Sequence, residues 1–264
     1  MQILQKIVMA KEEQIEQSKK KLSLEKLRSS VESLPPCQDW REAITRKEVP
    51  LRVIAEIKRA SPSRGDIVRD AIAEEIAQDY ARNGAVALSV LTDAPFFHGS
   101  LLDLVEVKRS VQIPVLRKDF ILDPYQVYES RIFRADAILL IMAILKDDQA
   151  KKLLDLSTSL GMATLVEVHS EEELDRAVGV GATILGINNR DLMTFTIKLE
   201  TTLRLLPKIP KGRVVVSESG FYTREELLEF QKMGVDAFLV GEALMASGNP
   251  GKKLAELLER EYVG

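Results

Sequence analysis

From residue 51 to residue 264 short apolar runs alternate with helix-length segments eight times over, and this alternation constrains the fold more than any other feature of the chain. The runs are Val53–Ile57, Val86–Leu91, Val115–Leu116 running into Lys118, Ala137–Met142, Thr164–Val168, Ile184–Ile187, Val214–Ser217 and Ala237–Val240. Short apolar runs of this kind suit strands covered on both faces. The segments between them carry helix signals. Ala71–Arg82 stops at Asn83-Gly84, and Asp123-Pro124 supplies a cap residue followed by a proline at the first helical position. Ser170 to Glu173 and Thr223 to Glu226 have capping-box spacing, and Asn249-Pro250 opens a last helix.

Strands alternating with helices argue for a parallel sheet. Eight such units argue for a (β/α)8 TIM barrel rather than an open doubly wound sheet, and 264 residues suit one barrel domain spanning 1–264. Residues 1–48 precede the first strand and read as helices, with Leu4, Ile7 and Val8 continued by Leu22, Leu24, Leu27 and Val31 on an apolar stripe. Lys11 to Lys21 is almost wholly polar and reads as a solvated face. Pro35-Pro36 ends this stretch, and Trp40 leads into a short helical piece.

Composition narrows the function. The 37 basic residues are balanced by 40 acidic ones, so no basic excess points to nucleic acid. No apolar run approaches the roughly 20 residues needed to span a bilayer, and the N-terminus is too charged for a signal peptide. A single cysteine, Cys37, rules out an internal disulfide and fits a reducing cytoplasm. The two histidines, His98 and His169, have no cysteine partners that would suggest zinc. No glycine-rich nucleotide loop is present. Nothing in the sequence indicates an oligomer, so a monomer is expected.

In a (β/α)8 barrel the working residues lie at the C-terminal ends of the strands. Those ends here carry Glu56 and Lys58, Lys118, Glu167, Asn188 and Arg190, and Glu218. Glu56 and Lys58, two apart, face the same side of a strand and taken alone read as a structural ion pair. Seven polar groups converging on one barrel mouth read as a site, because burying such groups is costly unless they are paired or functional. The fourth strand ends apolar and is expected to supply a greasy wall. Ser219-Gly220 and Gly241-Glu242 follow the last two strands, where barrels often bind phosphate through backbone N–H groups. Lys58 is a candidate to add charge to that anion site, and the Glu242 side chain is expected to turn away from it.

Seven stretches, A-E-I-K-R-A-S-P-S-R-G (55–65), L-T-D-A-P-F-F-H-G-S (91–100), V-L-R-K-D-F-I (115–121), L-V-E-V-H (165–169), I-L-G-I-N-N-R-D-L (184–192), V-V-S-E-S-G-F (215–221) and F-L-V-G-E-A-L-M (238–245), together resemble the indole-3-glycerol phosphate synthase family across nearly the whole chain. The resemblance implies a barrel with its N-terminal helical segment, 1–48, packed near the mouth. It implies a phosphorylated small-molecule substrate, 1-(2-carboxyphenylamino)-1-deoxyribulose 5-phosphate, closed with loss of carbon dioxide and water to indole-3-glycerol phosphate. It implies no cofactor and no metal. By resemblance Lys118 is the acid at the sugar carbonyl, and Lys58, Glu56 and Glu167 serve the later proton transfers, with Glu167 on the anilino-nitrogen side. The division of acid and base roles among these four stays open at this level. Asn188 and Glu218 resemble orienting groups, and Ser61 and Arg190 are candidates for carboxylate or loop contacts. Phe97 and Phe120 resemble the aromatic wall of the ring pocket, and Ser219 a substrate contact. Some members place a tryptophan near the substrate ring from the N-terminal helix; the single tryptophan here, Trp40, lies later, so that contact is not carried over.

Ser61 to Gly65, rich in Ser, Pro, Arg and Gly, is expected to be a mobile loop that closes over substrate. Two rival readings fit the sequence less well. A phosphoribosylanthranilate isomerase would need a cysteine base, and Cys37 lies before the first strand. A barrel that only binds phosphorylated ligands would be expected to have lost some polar groups at its mouth.

Overall fold

The computed structural model describes residues 3–46, 51–62 and 64–264. Among them eight parallel strands close a barrel: β1 Val53–Ile57, β2 Ala87–Leu91, β3 Val115–Lys118, β4 Ala137–Ile141, β5 Ala163–Val168, β6 Ile184–Asn188, β7 Val214–Glu218 and β8 Ala237–Val240. Each strand pairs with the next in sequence, and β8 closes onto β1 in parallel register with Val53 opposite Phe238. The expected strands are all present, but five boundaries shift. β2 starts at Ala87 and β5 at Ala163, β4 ends at Ile141 in a 3-10 turn, β6 runs on to Asn188 and β7 to Glu218. The last two extensions share a cause. A polar side chain interrupts an apolar run, yet its backbone still pairs in the ladder, as Asn188 does opposite Glu218.

Alternation along the strands divides the side chains into two sets. Ile54, Leu116, Leu139, Leu165, Val216 and Leu239 are buried together in the barrel interior. Their neighbours, Ala55, Val115, Leu140, Val166 and Val215, are buried in a second cluster that includes helix residues such as Leu104, Val127 and Leu174. Two residues beyond an interior residue, the same inward face carries something else. Glu56 follows Ile54, Lys118 follows Leu116, Glu167 follows Leu165 and Glu218 follows Val216. The strands thus deliver a layer of charge directly above a layer of hydrocarbon.

The outer helices start where their caps predict. Asp123 closes a full capping box with Gln126, and Thr223 does so with Glu226. Ser170 caps its helix by accepting from the Glu173 N–H, but the Glu173 carboxylate accepts from the His169 N–H instead of that of Ser170.

The N-terminal segment forms α1 (Ile3–Lys21), α2 (Leu24–Val31) and α3 (Trp40–Ile44); residues 1, 2, 47 and 48 of the expected helical segment lie outside the described residues. The three helices reach different parts of the barrel. α2 packs Leu27 against Tyr125 and Tyr128 on the flank. α3 buries Trp40 and Ile44 with strand-start residues such as Ala87, Ala137 and Ala237, plugging the end opposite the mouth. α1 corrects one expectation. Its residues 11–21 are not a uniformly solvated face, because Lys11 is 2% exposed and Ile15 is also buried. Ile7, Lys11 and Ile15 recur every four residues and so share one helical face. Reading Lys11 as polar concealed that it continues the stripe.

Trp40 is fully buried and does not line the main cavity. Trp40→Ala is expected to lower stability by about 3–5 kcal/mol through the void it leaves, read from urea unfolding followed by circular dichroism. Activity of the folded variant should stay close to that of the parent. A stability change below about 1 kcal/mol would mean that the plug is not needed to hold the barrel.

Candidate active site

An open-mouthed cavity of about 980 Å³ lies at the C-terminal ends of the strands and takes lining residues from all eight strands or the loops that follow them. The Lys118 ammonium is placed at its floor. Its Nζ lies 3.2 Å from Glu218 Oε2, 3.7 Å from Glu56 Oε2 and 3.8 Å from Glu167 Oε2. Lys58 Nζ pairs with the other oxygen of Glu56 at 2.8 Å. Glu56 therefore bridges the two lysines, which confirms the ion pair anticipated at the end of β1 and places it inside a larger cluster.

Burial works against every charge in this cluster, and the partners decide who keeps it. Burial alone would drive Lys118 towards its neutral form, but Glu218, Glu56 and Glu167 raise its proton affinity well above that of an ordinary lysine. Burial would raise Glu56, and Lys58 and Lys118 outweigh it and lower it. Burial would also raise Glu167, but His169 and Lys118 hold it down at about 2. Glu218 goes the other way. Burial, reinforced by the neighbouring carboxylates and only partly offset by Lys118, pushes it up to about 7. Glu218 is also the one predicted site residue that does not line the cavity; it lies beneath Lys118, 1% exposed.

Two glycines make room for these carboxylates. A Cβ on Gly186 would stand 2.3 Å from Glu218 Oε1, and one on Gly241 would stand 2.5 Å from Glu56 Oε1. Gly241 therefore has a steric reason for its place that is independent of any anion.

The remaining predicted residues surround the cluster. Phe97 and Phe120 lie 6.1 Å apart between ring centroids on the cavity wall. Leu139 and Ile141 of β4 add the apolar face expected from that strand. Asn188 Oδ1 accepts from the Arg190 N–H at 3.0 Å, pinning the start of the loop after β6. The Arg190 guanidinium bonds Glu242 Oε2 at 2.8 Å, and Arg64 reaches Glu242 Oε1 at 2.8 Å. The Glu242 side chain is thus turned to the two arginines. Ser61 and Pro62 line the cavity, and Ser61 pairs with Gly65 in a two-residue antiparallel ribbon; Ser63 within that loop lies outside the described residues. Ser219 and Gly220 both have positive φ, 68° and 92°, and the buried Asn189 amide holds the Ser219 carbonyl at 3.0 Å. Among the described residues no group of three or more His, Cys, Asp and Glu side chains is placed to hold a metal ion. Cys37 packs against the Ala135 carbonyl, away from the cavity, so no thiol base is available there for the isomerase reading.

Reading the sequence missed a second charged network just outside the first. Lys118 points inward, while its neighbours Arg117 and Asp119 belong to a separate set. Lys11 of α1 lies 2.8 Å from Asp119 and 2.9 Å from Asp93, at the ends of β3 and β2. Asp119 also accepts from Arg117 at 2.9 Å and from Thr92 at 2.6 Å, and Arg117 pairs with Glu129 at 2.9 Å. This ties the N-terminal helix to the two loops that flank Lys118. The four-residue spacing Ile7, Lys11, Ile15 was the one available signal. Phe195, Leu192 and Tyr222 also line the cavity and were not anticipated; only their proximity to the quoted motifs marked them.

Fold and site together define a (β/α)8 barrel with a cluster of buried lysines and carboxylates at the C-terminal ends of its strands. Comparison with known proteins narrows this. The sequence model of the family described as "Indole-3-glycerol phosphate synthase" matches residues 4–257. Proteins named indole-3-glycerol phosphate synthase are similar over almost their full length: one from Polaromonas naphthalenivorans is 49% identical over 97% of this chain and 98% of its own, and one from Dehalococcoides mccartyi is 49% identical over 97% and 100%. The chain belongs to the indole-3-glycerol phosphate synthase family, carboxy-lyases of tryptophan biosynthesis. Among solved structures, 3-hexulose-6-phosphate synthase from Salmonella typhimurium superposes with a TM-score of 0.63 at 13% identity, over 79% of this chain and 99% of that one. That likeness shows the fold alone.

Lys11→Met tests the outer network. Burial would raise the Asp119 carboxyl, but Lys11 and Arg117 hold it well below its ordinary 3.8. The resulting stability is fully present above that ordinary value and is lost as pH falls below it. The variant should be about 3–5 kcal/mol less stable at pH 7, the cost of leaving buried charge unpaired. The deficit should shrink as the pH is lowered from about 5 towards 2. A pH-independent deficit in urea unfolding would contradict the charge argument.

Proposed function

We propose that this chain closes the ring of 1-(2-carboxyphenylamino)-1-deoxyribulose 5-phosphate, releasing carbon dioxide and water and leaving indole-3-glycerol phosphate. The observation that carries the reading is the Lys118 ammonium, set among three buried carboxylates on the floor of a cavity walled by Phe97 and Phe120.

The aromatic carbon that bears the carboxylate attacks the sugar carbonyl carbon. The carbonyl π electrons move to oxygen, and the alkoxide that forms takes a proton from Lys118. A lysine held this firmly in its charged form is a reluctant donor, but an alkoxide is a strong enough base to take its proton. The carbon–carboxylate bond then breaks, carbon dioxide leaves and the ring regains aromaticity. The hydroxyl at the former carbonyl carbon departs as water, with its proton supplied by Lys58, whose partner Glu56 keeps it charged and aimed. A proton is lost from the carbon next to the anilino nitrogen, and Glu167 receives it. Glu218, beneath Lys118, orients the ammonium, and Asn188 orients the loop that carries Arg190.

Binding folds the open-chain sugar over the ring. The aryl carboxylate is assigned to Ser61 and Arg190. The phosphate is assigned to Lys58 and to the backbone around Ser219-Gly220 and Gly241-Glu242, whose loops line the cavity. Anchoring both ends brings the reacting carbons together before chemistry begins, and closure of the Ser61–Gly65 loop excludes water. The chain works as one domain, with α1 bracing the loops beside the mouth. We place this activity in the cytoplasm, which the single cysteine supports. No helix among the described residues is long and apolar enough to cross a membrane.

The test supplies the carboxyphenylamino-deoxyribulose phosphate to the purified chain and follows indole fluorescence. Absence of product from folded protein would sink the reading. Lys118→Met is expected to reduce turnover by about 10²–10⁴-fold, the range for loss of a positioned acid, while a phosphorylated substrate analogue still binds within a few-fold. Near-normal turnover would remove Lys118 from the acid role.

A further inference from the structure

His169 stands one residue past β5 and does not line the cavity. Its ring is nevertheless built into the charged cluster. Nε2 lies 3.3 Å from Glu167 Oε1, and Nδ1 lies 3.1 Å from Glu173 Oε2 on the helix Glu171–Gly179. The ring is 14% exposed and Glu167 2%. Both ring nitrogens therefore face carboxylates. Nδ1 is hydrogen-bonded to Glu173, while Nε2 and Glu167 Oε1 are buried in contact with no other partner. A neutral imidazole would set a nitrogen lone pair against one of the two carboxylates, whereas the imidazolium presents an N–H to each. The other Glu167 oxygen faces Lys118. Glu167 is thus held between two cations, one inside the cavity and one behind it.

The backbone supports the same arrangement. Glu173 Oε2 accepts the His169 N–H at 2.8 Å, so the side chain that should have completed the Ser170 capping box is spent on His169 twice, through its main chain and its ring. Arg204 donates to the His169 carbonyl at 3.3 Å, and Asp191, from the loop after β6, is held low chiefly by the Thr194 N–H and lies within electrostatic range of the ring. The groups facing His169 are then Glu167 on its own strand, Glu173 on the next helix, Asp191 and Arg204.

We propose that His169 is a positioning residue of the reaction: an imidazolium clamped between Glu173 and Glu167 that fixes Glu167 in the ionised, proton-accepting state beside Lys118. Burial would lower His169, but the contacts with Glu167 and Glu173 raise it to about 10, in keeping with this geometry. Burial raises the proton affinity of such a carboxylate, as it does for Glu218, and a carboxyl that keeps its proton could not accept one from substrate. The proposal rests on the reading of Glu167 as proton acceptor given above.

Two measurements decide it. The chain has two histidines, and His98 is exposed beside Asp66, so a His98→Gln protein labelled with 15N shows the His169 ring alone. Both ring nitrogens should remain protonated from pH 6 to 8.5. A neutral ring with one protonated nitrogen at pH 7.5 would overturn the proposal whatever the protein turns over. The second measurement is the pH profile of kcat/KM for His169→Gln, which keeps a hydrogen-bond donor and loses the charge. At pH 6 it should be impaired at least about tenfold relative to the parent, with most of the loss recovered by pH 8.5 as Glu167 ionises without help. Glu173→Gln should shift the acid limb in the same direction by less. A loss independent of pH, or no loss, would overturn the proposal. Should the unsubstituted chain make no product, the function above fails, and the 15N spectrum alone decides the state of His169.

Discussion

A charge removed from water must find an opposite charge, and at the centre of this barrel Lys118 meets that demand for three carboxylates at once. Remove the lysine, and Glu56, Glu167 and Glu218 face one another across a few ångströms of protein. Remove a carboxylate, and the ammonium loses the field that keeps it charged. Such a cluster is a poor way to stabilise a fold, because the desolvation penalty competes with the attraction gained. Its value lies in what it does to protons. In one shared environment Glu167 is held down at about 2 while Glu218 rises to about 7, so neighbouring carboxylates of the same type are pushed into different roles.

The barrel makes this affordable by layering. Below the charges lies a course of hydrocarbon from alternate strand positions, which keeps water out from beneath. Around them the gaps at Gly186 and Gly241 leave space that any side chain would fill. Outside them runs a second ring of ion pairs. Arg117, Lys118 and Asp119 are consecutive, yet the middle one serves the inner cluster and its two neighbours serve the outer one with Lys11, Thr92 and Glu129. The extended backbone at the end of β3 thus sends one three-residue stretch to two different tasks. α1 contributes to the second task alone, through a lysine whose charge lies far along the chain from the pair it neutralises.

The same principle extends behind Glu167. His169 is two residues further along the strand direction and one layer out, and its helix partner Glu173 closes the chain of alternating charges from Glu173 through His169 and Glu167 to Lys118. Strand ends hold Lys118 and Glu167, His169 follows one residue past β5, and the first turn of a capped helix holds Glu173. Positions on such elements vary little with loop motion, which suits groups that must keep a set distance from a reacting atom.

Local order was legible in the sequence. Eight apolar runs, the caps at Asp123, Ser170, Thr223 and Asn249, and the polar residue types at each strand end follow from periodicity and capping chemistry that act over a few residues. From these came the barrel, the cavity's location and the charged part of its lining, while Ser61, Phe97 and Phe120 came through the family resemblance. Tertiary structure decided the rest. It chose which oxygen of Glu56 meets which lysine, sank Glu218 below the cavity floor, buried Lys11 between Asp93 and Asp119, and set His169 between two glutamates. Those outcomes depend on strand register around a closed barrel and on which helix lies over which strand. The alternation within a single strand says which face a side chain takes, and carries no information about what waits for it across the barrel.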